Sequence, residues 1–334
     1  MHVVDAANPR APRYVTTYAF EPVLRVGMVQ AVGNLLVVTA AEGSRTVLLD
    51  VTNPEMPQPV PGGDFDVVDA SGEPRDAYFS TTTGGLVFYA RKEGGGGLLV
   101  MDIHDPSAPT YAADYRSDGN GGYVFLHEGL AFVGESSVAR IYDVSDLFDA
   151  DPERVIPAPI GELDLVGDLD MAVPVGQLVM LSVDDMAMPN EGSSLMPWTD
   201  ARDARGPAIT WVWPEPDTTI PVGSRFGVTF DEHVEAGTAW EGSMRLYRAD
   251  AATPDEGRVA VAISAQESIV SVVPLCPLEA GVEYVLEIPA GGVEPRSHTI
   301  FMRTYRSRGG TGFGPELQVS PYDSINAATL PVVA

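Results

Sequence analysis

Cysteine, lysine and long apolar runs are what this sequence lacks most. It has one cysteine in 334 residues, Cys276, so no intrachain disulfide can brace the fold. Cys276 lies in the apolar run "VVPLCPL" and reads as a small buried hydrophobe rather than a nucleophile. Its 20 basic residues are all arginine except Lys92, and 47 Asp and Glu outnumber them, for a formal net charge of −27. Such a field repels nucleic acid and anionic membranes and attracts cations and basic partners. No apolar stretch approaches the roughly 20 residues of a membrane helix. No basic-plus-apolar leader opens the chain either. What the chain does have is turn formers, 34 Gly and 28 Pro, and an apolar content of 45%. That is enough for the cores of two domains.

Two short phrases recur. The first is an apolar run closed by Asp and, a few residues on, Asx-Pro: "VVDAANPRAP", "LLDVTNPEMP", "VMDIHDPSAP" and, more loosely, "IYDVSDLFDADP". Its aspartates are Asp5, Asp50, Asp102 and Asp143, in steps of 45, 52 and 41. The second is a Gly- or Asn-bearing turn before an aliphatic run: "VGNLLVV", "TGGLVFY", "HEGLAFV" and "VGQLVML". Its leading leucines are Leu35, Leu86, Leu130 and Leu178, in steps of 51, 44 and 48. Interleaved phrases with a common period near 45 define a repeat.

One unit is legible physically. Gly or Asn supplies the positive φ of a tight hairpin. The all-aliphatic run after it reads as an inner strand covered on both faces. At the Asp phrase, side-chain oxygens can bond nearby backbone N–H groups while proline ends the ladder. No unit contains a ten-residue helical apolar period. About four strands in 45 residues is blade-sized, and the expectation is an all-β chain opening with a β-propeller of about four visible blades. "LLDVTNPEMPQPV" and "VMDIHDPSAPTYA" resemble the LVIVD-type repeats of bacterial propeller proteins, and the resemblance covers about residues 1–198. Two closures stay open: the N-terminal strand completes the last blade, or the chain is the C-terminal part of a larger ring.

After a polar linker at 199–207 the pattern changes to strict alternation. Phe226, Val228 and Phe230 share one face, and Val282, Tyr284, Leu286 and Ile288 share another. About seven strands over 208–305 are expected to form a sandwich, each sheet with one buried and one wet face. "PDTTIPVGSRFGVTFDEHVEAGT" and "VVPLCPLEAGVEYVLEIPAGGV" resemble bacterial Ig-like domains of S-layer and other surface proteins. Residues 306–334 read as a tail or the start of a further domain.

No catalytic set assembles in the sequence, and no cofactor motif is present. The carboxylates of "GELDLVGDLDM" and "SVDDMAMPNEG" lack EF-hand spacing, and Asp184 and Asp185 are the best candidate calcium ligands. His104 falls where the other repeats carry Ala7, Thr52 and Ser145, and reads as variable filler. Asp231, Glu232 and His233 end a strand and read as exposed loop residues. Trp211 and Trp213 share a strand face, which packs the two domains together, fills the sandwich core or forms a carbohydrate-stacking platform. Arg296, Arg303, Arg306 and Arg308 form the one basic patch and are expected to meet the chain's own carboxylates or a neighbouring subunit.

The resulting expectation is a non-enzymatic, extracellular or cell-surface scaffold or adhesion module. Its partner would be a protein or surface polymer rather than nucleic acid, with no membrane span and with self-assembly open. The competing expectation is a hydrolase or lyase using Asp168 and Asp170 in the propeller channel.

Overall fold

The computed structural model describes residues 1–306 apart from 7, 93–94, 150–153, 184–191, 201–205, 235 and 290–299. The candidate calcium ligands Asp184 and Asp185, with Arg296 and Arg308, lie outside the described residues. The chain is all-β: an arc of propeller blades followed by an Ig-like sandwich. A hairpin, β1 (His2–Asp5) and β2 (Arg13–Thr17), comes first. Blade 1 holds β3 (Val26–Val32), β4 (Leu35–Ala40), β5 (Arg45–Asp50) and β6 (Gln58–Asp66) in that spatial order. Blade 2 holds β7 (Ala77–Thr83), β8 (Leu86–Arg91), β9 (Gly97–Asp102) and β10 (Thr110–Arg116). Blade 3 holds β11 (Val124–His127), β12 (Leu130–Gly134), β13 (Ala139–Asp143) and β14 (Gly161–Leu163). Blade 4 has three described strands, β15 (Leu169–Val175), β16 (Leu178–Val183) and β17 (Ser193–Pro197). Every pairing is antiparallel, and β3, β7, β11 and β15 touch in succession along the inner side.

The repeated phrases build each blade as their chemistry requires. The hairpin tips carry the left-handed backbone, at Gly33 (φ 58°), Gly84 (φ 60°), Glu128 (φ 49°) and Gly176 (φ 58°). In the Asp phrase both Asx side chains cap the turn two residues on. Asp50 accepts from the Thr52 N–H at 2.8 Å and Asn53 from Glu55 at 3.0 Å. Asp102 and Asp105 repeat the pattern with His104 and Ser107, both at 2.9 Å.

Blade stacking follows a parity rule along the aliphatic run. Leu35 and Val37 point toward blade 2, where Val87 and Tyr89 meet them. Leu86 and Phe88 point toward blade 3 and meet Ala131 and Val133. Phe132 points toward blade 4 and meets Val179 and Leu181. Alternate residues of one strand therefore belong to two different interblade cores, which is why the run shows no polar alternation. The hairpin β1–β2 pairs only with itself, and Met1 and Tyr18 pack on the blade 1 residues Val38, Val47 and Leu49. It does not complete blade 4, so among the described residues the first of the two closures is not formed.

The sandwich has seven described strands in two sheets. One contains β18 (Ile209–Trp213), β19 (Phe226–Phe230), β22 (Ile269–Pro274) and β21 (Val261–Gln266) in that order. The other contains β20 (Arg245–Arg248), β23 (Glu283–Pro289) and β24 (Ile300–Arg306). Phe226, Val228, Phe230, Tyr284, Leu286 and Ile288 share its core, as the alternation requires. The expectation of a wet outer face holds along β21, where Ala262, Ser264 and Gln266 are exposed, and fails at β19, which is buried at every residue. Gly227 and Thr229, which alternate with the core residues, lie under the propeller.

Candidate functional site

The two domains meet along one continuous seam. Residues 224–232 run past the hairpin tips of blades 1, 2 and 3 in turn. At blade 1, Asn34 Oδ1 accepts from the Arg225 N–H at 2.9 Å, and Asn34 Nδ2 donates to Ser224 Oγ at 3.3 Å. At blade 2, the Gly84 N–H donates to Thr229 Oγ1 at 3.0 Å, and Thr83 Oγ1 donates to the Phe230 carbonyl at 2.6 Å. At blade 3, the Glu128 N–H donates to the Asp231 carbonyl at 2.9 Å. Beside that contact, His127 Nδ1 lies 3.2 Å from Glu232 Oε2, both side chains buried. Gln30 Nε2 adds a bond to Glu267 Oε2 at 2.7 Å, where burial pushes the Glu267 carboxyl up.

Contact this close depends on small residues. A Cβ on Gly227 would lie within 2.5 Å of the Val32 carbonyl carbon, and one on Gly33 would overlap the Trp213 carbonyl. Trp211 is buried against blade residues such as Leu35, Val87 and Ile103, so the domain-packing alternative for the tryptophan pair is the one realised there. Its Nε1 donates to Glu215 Oε1 at 2.6 Å, and its ring centroid lies 5.5 Å from that of Trp213.

Where the seam ends beside blades 1 and 2, it leaves a cleft of about 760 Å³. Blade 1 supplies Asn34, Asp50, Thr52 and the 58–61 segment, and blade 2 supplies the turn 104–107. The sandwich supplies Trp213, Pro214, Glu215 and residues 218–221. The repeated Asp phrases thus build one wall and the start of the second domain builds the other. A cleft of this size between domains has the dimensions of a small-ligand or peptide site.

His104 is therefore not filler. Its Nδ1–H donates to Asp102 Oδ1 at 2.9 Å, and Arg154 Nη1 donates to Asp102 Oδ2 at 2.5 Å. Burial opposes charge on Asp102, but these bonds outweigh it and hold the carboxyl well below the usual carboxylate range. The imidazole lies against Gly85 and edge-on to Trp211, with centroids 5.9 Å apart. Sequence alone could not mark it, because its aligned counterparts differ and the wall that gives it a role lies over 100 residues on.

Two other expectations are corrected. Cys276 is exposed: the strand ends at Pro274, and of "LCPL" only Leu278 turns inward. Glu232 is buried, and His233 is mostly so, because blade 3 covers the strand end that reads as a free loop. Desolvation and the nearby His127 lower the His233 pKa to about 4. Asp170 is buried on the inner strand β15, its carbonyl accepting from the Tyr123 N–H at 2.8 Å, and it and Asp168 stand apart from the interdomain cleft. Among the described residues no group of three or more His, Cys, Asp or Glu could hold a metal ion, and no helix is long and apolar enough to cross a membrane.

No curated protein sequence matches the chain. Solved structures similar to it include the computationally designed Ika4 protein, with 10% identity and a TM-score of 0.37 over 52% of this chain and 91% of that one. AztD from Citrobacter koseri shows 10% identity and a TM-score of 0.33, over 86% and 84% of the two chains. A structural-genomics protein of unknown function from Bacteroides thetaiotaomicron shows 14% identity and a TM-score of 0.35, over 79% and 66%. Residues 203–303 match the bacterial Ig-like domain family, and the second domain of this chain is a bacterial Ig-like domain.

Proposed function

We propose that this chain is a non-catalytic interaction module of the bacterial cell surface, which binds its partner in the cleft between the propeller arc and the Ig-like domain. The observation that carries the reading is the seam: three consecutive hairpin tips clasp one sandwich strand, and the cleft lies between the two domains so joined. Ig-like domains of this family suit extracellular display, and the LVIVD-like phrases supply the cleft wall. The −27 charge favours a partner that is not nucleic acid.

A hydrolytic alternative draws on one observation, the His104–Asp102–Arg154 chain at the cleft. The nearest-in-sequence nucleophile is Ser107, but its Oγ donates to Asp105 Oδ1 at 2.6 Å. The test pairs binding with turnover. Labelled chain is titrated onto bacterial cell-envelope preparations, with Thr52→Trp as the variant that fills the cleft. The same chain and its His104→Gln and Asp168→Asn/Asp170→Asn variants are screened on ester and glycan panels. Saturable binding lost in Thr52→Trp is the expected result. Binding indifferent to that variant, or turnover abolished by the His or Asp changes, would overturn the proposal.

A further inference from the structure

We infer that the cleft receives an extended, arginine-bearing polypeptide segment. The inference rests on the reading of the cleft as a binding site and adds the chemistry of what enters it.

The side chains of the lining that carry full charge are hydrogen-bond acceptors, and its side-chain donors are neutral amides, hydroxyls, an indole and an imidazole. Three carboxylates face the cleft, each with one oxygen fixed: Asp50 Oδ1 by the Thr52 N–H, Asp105 Oδ1 by Ser107, and Glu215 Oε1 by the Trp211 indole. The second oxygen of each makes no hydrogen bond among the described residues, so these are oriented acceptors rather than swinging surface charges. Pro59, Pro61, Pro106, Pro214 and Pro221 remove five backbone N–H donors from the same walls. Among the described residues no lysine or arginine lines the cleft, and the one side chain there able to carry positive charge, His104, has Nδ1 committed to Asp102.

A ligand that fits must bring donors and positive charge. Guanidinium brings five N–H groups in a planar fork and suits carboxylate oxygens. Its aliphatic stem can lie on the apolar part of the lining, Leu35, Val60 and Ile220, with Trp213 available to its flat face. A volume of about 760 Å³ exceeds one side chain, so several residues of extended chain enter, and their backbone N–H groups meet the remaining acceptors. Anionic ligands meet the carboxylates. Sugar hydroxyls can donate to these carboxylates, but a neutral sugar brings no positive charge to match them. The −27 field steers a cationic segment inward before contact.

The experiment is calorimetric titration of the full chain with four probes: capped (Arg-Pro)4, (Gln-Pro)4, (Glu-Pro)4 and maltohexaose. A 1:1 complex with (Arg-Pro)4 alone is expected, weakening as salt rises. Asp50→Asn with Asp105→Asn keeps the turn-capping oxygens and should weaken it at least tenfold. Asp143→Asn with Asp146→Asn removes the same charge outside the cleft and should change it less than twofold. Thermal melts of both pairs check that they fold. Equal weakening by the two pairs, equal affinity for (Gln-Pro)4, or no binding of (Arg-Pro)4 would overturn the inference. Binding of (Glu-Pro)4 or maltohexaose that Thr52→Trp abolishes would overturn arginine selection and leave the cleft reading standing. Envelope binding that Thr52→Trp leaves unchanged would remove the cleft reading itself.

Discussion

His233 is mostly buried where the Ig-like domain meets blade 3, its ring edge-on to Phe125 at 5.5 Å and its Nε2 without a hydrogen bond among the described residues. Its folded pKa of about 4 lies below the ordinary value of 6.5. Between these two values the unfolded chain takes up a proton that the folded chain refuses. Stability is therefore full above about pH 6.5 and falls by roughly 3 kcal/mol as pH drops to about 4. Glu267, pushed up by burial, works in the opposite sense, and Glu267→Gln separates the two. Asp69, held low by Ser71 and Arg75, loses its contribution only below the ordinary carboxylate range, so its window lies beneath that of histidine. Urea midpoints across pH 4–7.5 should slope in the native chain and flatten in His233→Phe. A second residue-scale prediction concerns Glu135, which is fully buried and accepts from Tyr142 Oη at 2.5 Å, Arg140 Nη1 at 2.6 Å and Ser117 Oγ. Arg140→Met leaves that carboxylate unpaired and should cost about 3–5 kcal/mol, measured by denaturation. Arg140→Met with Glu135→Gln should recover most of the loss. Neither cluster is legible in the sequence: Glu135, Arg140 and Tyr142 sit in unremarkable patterns on one hairpin of blade 3, and the stacking of blade 2 against it adds Ser117.

At the scale of elements, the strand β19 carries the joint between the domains. Its core face, Phe226, Val228 and Phe230, is written in period-two alternation and stands out in the sequence. Its other face, Gly227 and Thr229, reads as solvent-facing, because no local pattern reports that three hairpin tips 50 residues apart will line up along it. The hairpin tips themselves were legible, since Gly33, Gly84 and Gly176 are the residues a left-handed turn demands. So were the Asx-capped turns that end the third strands of blades 1 to 3. What could not be read was that the tips and turns of the repeat double as a docking edge and a cleft wall. Gly227→Val tests the joint directly. The added side chain meets the Val32 carbonyl and the Gly33 backbone, neither of which can move without disrupting blade 1. The expected cost is about 2–3 kcal/mol, with faster proteolysis between 199 and 208 and a red shift in tryptophan emission as Trp211 and Trp213 become wetter. Unchanged proteolysis and emission would mean that the seam does not hold the domains.

At the scale of the whole molecule, the arc of blades ends differently on its two sides. Blade 1 is covered by the hairpin β1–β2, whereas the outer sheet face of blade 4 is uncovered among the described residues. The parity rule identifies that face: the positions that point to the next blade are Val37, Phe88 and Phe132 in blades 1 to 3, each at most 1% exposed, and Met180 in blade 4, at 43%. Cross-strand pairing places Met180 between Val173 and Leu195, Leu178 between Val175 and Pro197, and Ser182 between Met171 and Ser193. These nine residues form a grid without a single charge, in a chain where one residue in five is charged. Val175 and Leu195 are 52% and 62% exposed. A contiguous apolar face of this kind binds hydrophobic dyes and contributes little to the fold that carries it. Met180→Gln with Leu195→Gln is neutral in charge, so it tests the face without adding to the −27 field. The double variant should lose most of the dye fluorescence of the native chain while its melting temperature stays within about 2 °C, since surface changes that break no core contact cost at most about 0.5 kcal/mol. Phe88→Gln, the same position one interface inward, should instead cost about 3–5 kcal/mol, because there the next blade is in place. A large loss of stability in the Met180/Leu195 variant would show that blade 4 buries this face within the chain, and the parity rule would then close on a fifth layer that the arc does not display.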